Sequence, residues 1–402
     1  MRNREETKGR RLRAGKIPGA AKIRCSTAEQ VGMKSAVTMR EIAAQAGVSV
    51  GTVSHVINGT AGVRELLRQR VLAAISKLGY QPSQLGRALR RNQTAMVGMI
   101  IPDITNPFFP AVVRGVEDIA YRHSYRLVLC NTDNDPAKEA SYLNELCSYR
   151  PAGLLLIPAA GTRITAQLTL LARAGPPVVC VDRRPAQWQG DSVVVANESG
   201  ARAAARHLLE LGHRCLGVIS GPLHLTNAVE RLNGFRCGLQ QAGVILPSEY
   251  VQEARFDRQS GYQAALRLLR MLPRPTAIFA GNDLMALGVL LAARELNLRC
   301  PQDLSIVGFD SFEFDEFTEP TLTSVYQPGY QMGAAAANLL MERIHGSTAR
   351  AKSLVLPSEL KCRASSGPAP DHLPVHVGER ARPASVSGSR RSGRHRPLAK
   401  PK

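Results

Sequence analysis

From residue 94 to about residue 310, short apolar runs alternate with longer amphipathic stretches, a pattern that few folds satisfy. The runs are MVGMII (96–101), YRLVLC (125–130), GLLLIP (153–158), VVCV (178–181), SVVV (192–195), CLGVIS (215–220), TAIFA (276–280) and LSIVGF (304–309). They are too short for helices, and they are apolar almost throughout, as strands covered on both faces must be. The stretches between them, such as FPAVVRGVEDIAYRHS and SGARAAARHLLELGH, have the length and patterning of crossover helices. Strand, helix and parallel strand in succession predict an α/β architecture with parallel sheets and helices on both faces. Eight such units exceed one comfortable sheet, so the spacing predicts two lobes.

The chain ahead of this body reads differently. Residues 37–79 predict three short helices. Thr38-Met39-Arg40-Glu41 fits a capping box, and Ile42, Ala43 and Ala46 form a small apolar face ahead of Gly47, which frees a tight turn. Ser49 caps a second helix with Val53, Val56 and Ile57 inward; a third carries Leu67, Val71, Ile75 and Leu78 and stops at Gly79. Arg64 offers that third helix a poor N-cap. Helix, glycine turn, helix is the helix-turn-helix pattern.

Charge separates the same regions. Residues 1–36, 37–93 and 363–402 carry +7, +6 and +7, which accounts for the whole net charge of +20 and leaves 94–362 neutral. Basic appendages on a neutral body point to a polyanion for the first and a different ligand for the second. Residues 1–36 and 364–402 lack apolar periodicity and are expected to be disordered. The basic N-terminus has no apolar core for a secretory signal and no long apolar run occurs, so no membrane span is expected and a cytoplasmic location is. The eight cysteines (25, 130, 147, 180, 215, 237, 300 and 362) are scattered without a C-x-x-C pair, so small buried thiols are expected, with no metal and no cofactor. Phosphate-binding loops, nucleophile elbows and His/Cys ligand clusters are absent, so no enzymatic activity is expected; His213 in LGHR reads as a structural residue at a helix-to-strand turn.

TMREIAAQAGVSVGTVSHVINGTAGV, RVLAAISKLGYQPSQLGRALR, VGMIIPDITNPFF, VDRRP, LGHRCLGVISG, ERLNGF, SGYQAA, AIFAGNDLMALG, DLSIVGFD and LTSVYQP follow one another in order. Together they closely resemble the LacI/GalR family of bacterial transcription regulators, over roughly residues 37–362. The resemblance implies a homodimeric repressor that binds double-stranded operator DNA and a small-molecule sugar effector. It implies an all-α helix-turn-helix domain (37–82), a hinge helix (83–93) and a two-lobed, Rossmann-like body of the periplasmic-binding-protein type (94–363). Lobe 1 would hold about 94–195 and 326–357; lobe 2 would hold about 196–325 and 358–363. A sugar-binding transport protein shares that body but lacks the DNA module and requires a signal peptide.

By the same resemblance residues 49–58 form the recognition helix, its N-terminal end toward base edges in the major groove. Val50, Gly51 and His55 would face bases, with Ser49, Thr52, Ser54 and Asn58 nearer the backbone; Thr38 would join the DNA-facing set. His55 can donate to a guanine, Val50 offers apolar contact alone, and Gly51 offers nothing. In the hinge, Leu89 of each subunit would wedge between bases in the minor groove, with Arg87, Arg90 and Arg91 on phosphates. Gly86 departs from the usual alanine and costs about 1 kcal/mol of helix propensity.

Sugar pockets join aromatic faces to planar polar groups that grip neighbouring hydroxyls. The positions similar to those of bacterial ribose-binding proteins are Asn106, Phe108, Phe109, Asp182, Arg183 and Gln327 from one lobe, and Asn227, Arg231, Phe256, Asn282 and Asp310 from the other. Taken singly, the two phenylalanines read equally well as core and the aspartates as strand-end caps. Jointly they imply ribose or a similar aldopentose or aldohexose, with each carboxylate paired to an arginine. Whether such a ligand releases or recruits the operator is left open by the sequence.

Overall fold

The computed structural model describes residues 37–57, 59, 62–80, 94–159, 168–171, 175–185, 187–312 and 317–370. Asn58, Gly86, Arg87, Leu89, Arg90, Arg91, the 1–36 segment and residues 371–402 lie outside them. The chain divides into two compact units, Met1–Ser83 and Gln84–Lys402.

In the first unit the three expected helices are α1 (Met39–Ala46), α2 (Val50–Ile57) and α3 (Glu65–Leu78). The capping box forms as the sequence dictates: the Thr38 hydroxyl accepts from the Glu41 amide, and the Glu41 carboxylate accepts from the Thr38 amide. Gly47 ends α1 at φ +64°, a left-handed conformation that glycine adopts without cost, and so turns the chain into α2. Ile42, Ala43, Ala46, Val53, Val71 and Ala74 close a core small enough to explain why the helices are short. No side chain caps α3 at Arg64.

The second unit holds two six-stranded sheets. One contains β1 (Met96–Ile101), β2 (Arg126–Asn131), β3 (Gly153–Leu156), β4 (Val178–Val181), β5 (Asp191–Val195) and β11 (Ser353–Leu356). Its order is β11-β5-β4-β3-β1-β2, every pairing parallel. The other contains β6 (Leu216–Ser220), β7 (Val251–Glu253), β8 (Ala277–Ala280), β9 (Ser305–Asp310), β10 (Thr323–Tyr326) and β12 (Glu359–Lys361). Its order is β12-β10-β9-β8-β6-β7, parallel except at the antiparallel edge strand β12.

Helices α4 (Phe108–Arg122), α5 (Pro136–Ser148) and α10 (Gly329–Ile344) pack on the first sheet; α6 (Asn197–Glu210), α7 (Thr226–Gln241), α8 (Arg258–Leu269) and α9 (Asp283–Glu295) pack on the second. The chain passes between lobes three times, after β5, after β10 and after β11. All eight apolar runs are strands. The four strands outside them are β7, β11 and β12, which are half-exposed sheet edges, and β10, whose largely buried TSVY carries three hydroxyls. An edge strand has no need of the continuous apolar sequence that marks a central one.

One expectation is corrected. Residues 364–370, expected to open a disordered tail, pack onto the second lobe. The Ser365 carbonyl accepts from the Ile306 amide at 2.7 Å, its hydroxyl bonds Ile306 and Thr323, and Ala369 donates to Leu211. Low hydrophobicity failed as a guide because this segment is held by backbone and hydroxyl hydrogen bonds to a sheet.

Candidate functional site

All eleven side chains singled out for a ligand line one cleft between the two lobes: Asn106, Phe108, Phe109, Asp182, Arg183, Asn227, Arg231, Phe256, Asn282, Asp310 and Gln327. Each stands where a strand ends. Asn106, Phe108 and Phe109 follow β1, Asp182 and Arg183 follow β4, and Gln327 follows β10 in a crossover. Opposite them, Asn227 and Arg231 follow β6 on α7, Phe256 follows β7, Asn282 caps α9 after β8, and Asp310 ends β9. The carboxyl ends of parallel strands are where an open α/β sheet presents loops to a ligand.

The charges are paired as their burial requires. Asp182 lies 3.5 Å from Arg183, and Asp310 lies 3.7 Å from Arg231; all four side chains are at most 5% exposed. Arg231 also donates to Asn197 and to the Gly281 carbonyl, and its guanidinium stacks 3.8 Å from the centre of the Phe309 ring. Arg183 donates to the Pro158 carbonyl and lies 5.9 and 5.8 Å from the rings of Phe109 and Phe256. Asn227 of the second lobe reaches across to Asp182 at 3.1 Å, and Gln327 donates to Asp310. Burial dominates the protonation equilibria: it pushes the Asp182 and Asp310 carboxyls up and the Arg183 guanidinium down, against the pull of the opposite charges.

Two features set the cleft apart from an ordinary polar core. Asp182 Oδ1, Arg183 Nε and Gln327 Oε1 are buried without a hydrogen-bond partner in the chain, a condition that is costly unless a ligand meets it. Asp182, Phe256 and Asp310 also have φ of +61°, +63° and +124°, left-handed values that side chains avoid and that cluster where function demands them. The free volume at the centre is about 10 Å³, room for one water. A sugar therefore enters only when the lobes or side chains part. A larger cavity of about 200 Å³ beneath β1 is lined by Met96, Gly98, Val128, Leu146, Tyr149 and Pro151 and presents apolar surface alone.

Sequence reasoning missed the residues that hold the lining in place. Gly221 lies under the Phe256 ring so closely that an added Cβ would sit 2.0 Å from it. Asn197, 1% exposed, fixes Arg231. Neither has a one-dimensional signature, since each acts through a neighbour distant in sequence. His213 is buried and bonds Thr276, Ser305 and the Gly367 carbonyl, which makes it the anchor of the C-terminal segment.

On the first unit, α2 turns Ser49, Val50, Gly51 and His55 outward, with Thr52 and Ser54 half-buried beside them. Ser49 caps the helix by accepting from the Thr52 amide at 3.1 Å. Thr38 is exposed at the start of α1, its hydroxyl engaged with Glu41. Val53 beneath them is fully buried, so the outward set is fixed in register by the core.

A model of bacterial regulatory proteins of the lacI family matches residues 38–83, and a periplasmic binding protein-like domain matches 205–366. The ribose operon repressor of Escherichia coli (strain K12) is 38% identical over 331 residues, 82% of this chain and 99% of that protein. The chain belongs to the LacI family of bacterial regulatory proteins. The family's transcriptional repressor PurR of Histophilus somni (strain 2336) is 36% identical, covering 82% of this chain and 98% of that one. The lac repressor dimer bound to operator and the anti-inducer ONPF matches with a TM-score of 0.74 at 26% identity, over 83% of this chain and 99% of that one. A LacI family regulator from Enterococcus faecium with bound ribose matches with a TM-score of 0.61 at 31% identity, over 68% and 99%. These alignments put α1 to α3 in the role of the family's DNA-binding helix-turn-helix and the two lobes in that of its effector domain. Among the described residues no helix is long and apolar enough to cross a membrane, and no three His, Cys, Asp or Glu side chains gather as metal ligands.

Proposed function

We propose that this LacI-family member is a homodimeric, non-enzymatic repressor of the cytoplasm, released from its operator by a small neutral sugar of the ribose type. The observation that carries the sugar assignment is the cleft itself: two carboxylates balanced by two guanidiniums, planar amides and aromatic rings, with three polar atoms awaiting partners. Balanced charge disfavours an ionic ligand, and the many carboxylate and amide acceptors suit vicinal hydroxyls better than a flat purine. Similarity to a ribose operon repressor and to a ribose-bound regulator agrees with that chemistry.

On the DNA side, Val50, Gly51 and His55 face bases, flanked by Ser49, Thr52, Ser54 and Asn58, with Thr38 beside them. Arg87, Leu89 and Arg90 act in the hinge. The regions are the helix-turn-helix (37–82), the hinge (83–93) and the two-lobed body, now extended to residue 370. The sugar favours the closed lobes, closure displaces the hinges, and operator affinity falls by the ratio of sugar affinities in the two states.

Calorimetry against pentoses, hexoses and purine bases tests the assignment, repeated with Asp310→Ala. A pentose binding the wild type and not the variant is the expected result. No sugar binding at millimolar concentration refutes the sugar assignment. On the operator, Leu89→Ala abolishes tight binding while the dimer persists; wild-type affinity refutes the hinge role.

A further inference from the structure

One buried carboxylate of the first lobe lines no part of the cleft. Glu139 stands in the first turn of α5 and is 0% exposed. Its Oε2 accepts from the Ala159 amide at 2.6 Å, while Oε1 is buried without a hydrogen-bond partner. A buried acid with an unsatisfied oxygen destabilises a fold, and packing alone does not call for one.

The place of Glu139 relative to Arg183 is informative. The amide that Glu139 binds belongs to the peptide unit that joins Pro158 to Ala159. The carbonyl of the same unit accepts from Arg183 Nη1 at 3.1 Å. One peptide group therefore separates this acid from a guanidinium of the cleft. A carboxylate drawing on the N–H polarises the unit and makes its carbonyl a stronger acceptor. The contacts of Arg183 with Asn134 and Asp182 are longer, at 3.3 and 3.5 Å. All these residues belong to the first lobe, so the relay is the same whether the lobes stand open or closed.

We propose that Glu139 is a positioning residue of the effector site, which holds Arg183 toward the ligand through the Pro158–Ala159 peptide and does so fully only as a carboxylate. The inference deepens the sugar reading and rests on it for the affinity readout. Burial pushes the Glu139 carboxyl up to about 7, against the Ala159 bond and the Arg183 charge, so its state changes near neutral pH. Among the described residues, β1 and β3 bring no titratable side chain to it, and β4 brings the Cys180 thiol, which burial keeps protonated. On α5 itself Lys138 pairs with exposed Asp133, and Asp135 caps the helix. Charge-assisted hydrogen bonds are about twice as strong as neutral ones, so the carboxylate form raises sugar affinity roughly fivefold.

The test compares the full-length wild type with Glu139→Gln, which keeps an acceptor for the Ala159 amide and never ionises. Calorimetry with D-ribose from pH 5.5 to 8.5 gives the ratio of the two affinities. Asp182 and Asp310, which also titrate in the cleft, are common to both proteins and drop out of that ratio. Expected is a ratio near one at pH 5.5 that climbs through pH 7 to about fivefold in favour of the wild type. In the sugar-free wild type, the Ala159 amide and Arg183 Nε–H resonances move together through pH 7 by NMR, and neither moves in the variant. A ratio independent of pH, as a purely structural role requires, overturns the proposal, and so does one that favours the variant at high pH. If the wild type binds no D-ribose, the sugar reading fails and the resonances still decide the relay. An Arg183 signal that stays fixed while the Ala159 amide titrates overturns it, whether or not the variant folds.

Discussion

Gly221→Ala tests whether the aromatic wall of the cleft is set by backbone packing. Gly221 opens the strand-to-helix turn after β6, and the Phe256 ring rests on it: an added Cβ would stand 2.0, 2.4 and 2.5 Å from three ring carbons. Ordinary contact begins near 3.4 Å, so the ring has to retreat by about 1.4 Å. Its backbone gives little relief, because Phe256 is pinned at φ +63° and its carbonyl accepts from Asn282 at 3.0 Å. The ring's charged neighbours, Arg183 and Arg231, lie 5.8 and 5.9 Å from its centre, so the retreat disturbs the cleft where free volume is about 10 Å³. Overpacking of this kind costs about 1–3 kcal/mol, equivalent to a loss of roughly 5- to 150-fold in sugar affinity if the cleft bears it all. α2 belongs to the other compact unit, so operator binding without sugar remains at wild-type strength and the variant is a repressor that resists release. Calorimetry with D-ribose and fluorescence anisotropy on operator DNA measure the two quantities. Wild-type sugar affinity in Gly221→Ala refutes the argument that this glycine sets the ring.

Two further outcomes follow from other parts of the molecule. Glu139 on α5 is fully buried, with Oε2 accepting from the Ala159 amide and Oε1 unpartnered, and burial pushes its carboxyl up to about 7 despite that bond and the charge of Arg183. A carboxyl raised in the folded state stabilises fully below its unfolded value near 4.5 and loses that contribution as pH rises through 7. Glu139→Gln therefore melts near the wild type at pH 5 and later at pH 8, by a margin on the order of 3 kcal/mol; parallel melting curves at both pH values contradict this. Gly51→Ala adds a methyl whose nearest neighbour is Ser49 Oγ at 3.5 Å, so the fold is retained and α2 gains up to about 1 kcal/mol of helix propensity. Selection from a randomised operator library then shifts at one position of each half-site, and an unchanged preferred sequence removes Gly51 from the base-facing set.

Much of the architecture is legible because its signals are local. A strand buried on both faces has to be apolar throughout, so VVCV and GLLLIP declare themselves, whereas half-exposed SLVL and ELK do not. The Thr38–Glu41 box and the Gly47 turn are satisfied within four residues of chain, and the structure reproduces both. Residues 364–370 show the limit: SSGPAP reads as disordered because its hydrogen-bond partners, Ile306, Thr323 and Leu211, are remote in sequence.

The cleft divides in the same way. Sequence alone singled out the side chains that the structure gathers in it: Asp, Arg, Asn and Phe of successive motifs line one cleft. Only the tertiary structure decided how they are held. It placed Gly221 under Phe256, Asn197 behind Arg231 and Glu230 against Arg184, and it left three buried polar atoms of the cleft without a hydrogen bond. The physical reason is range. Residue chemistry is a property of the side chain itself, while close approach, pairing and closure depend on the distances between elements that meet only when both lobes have folded.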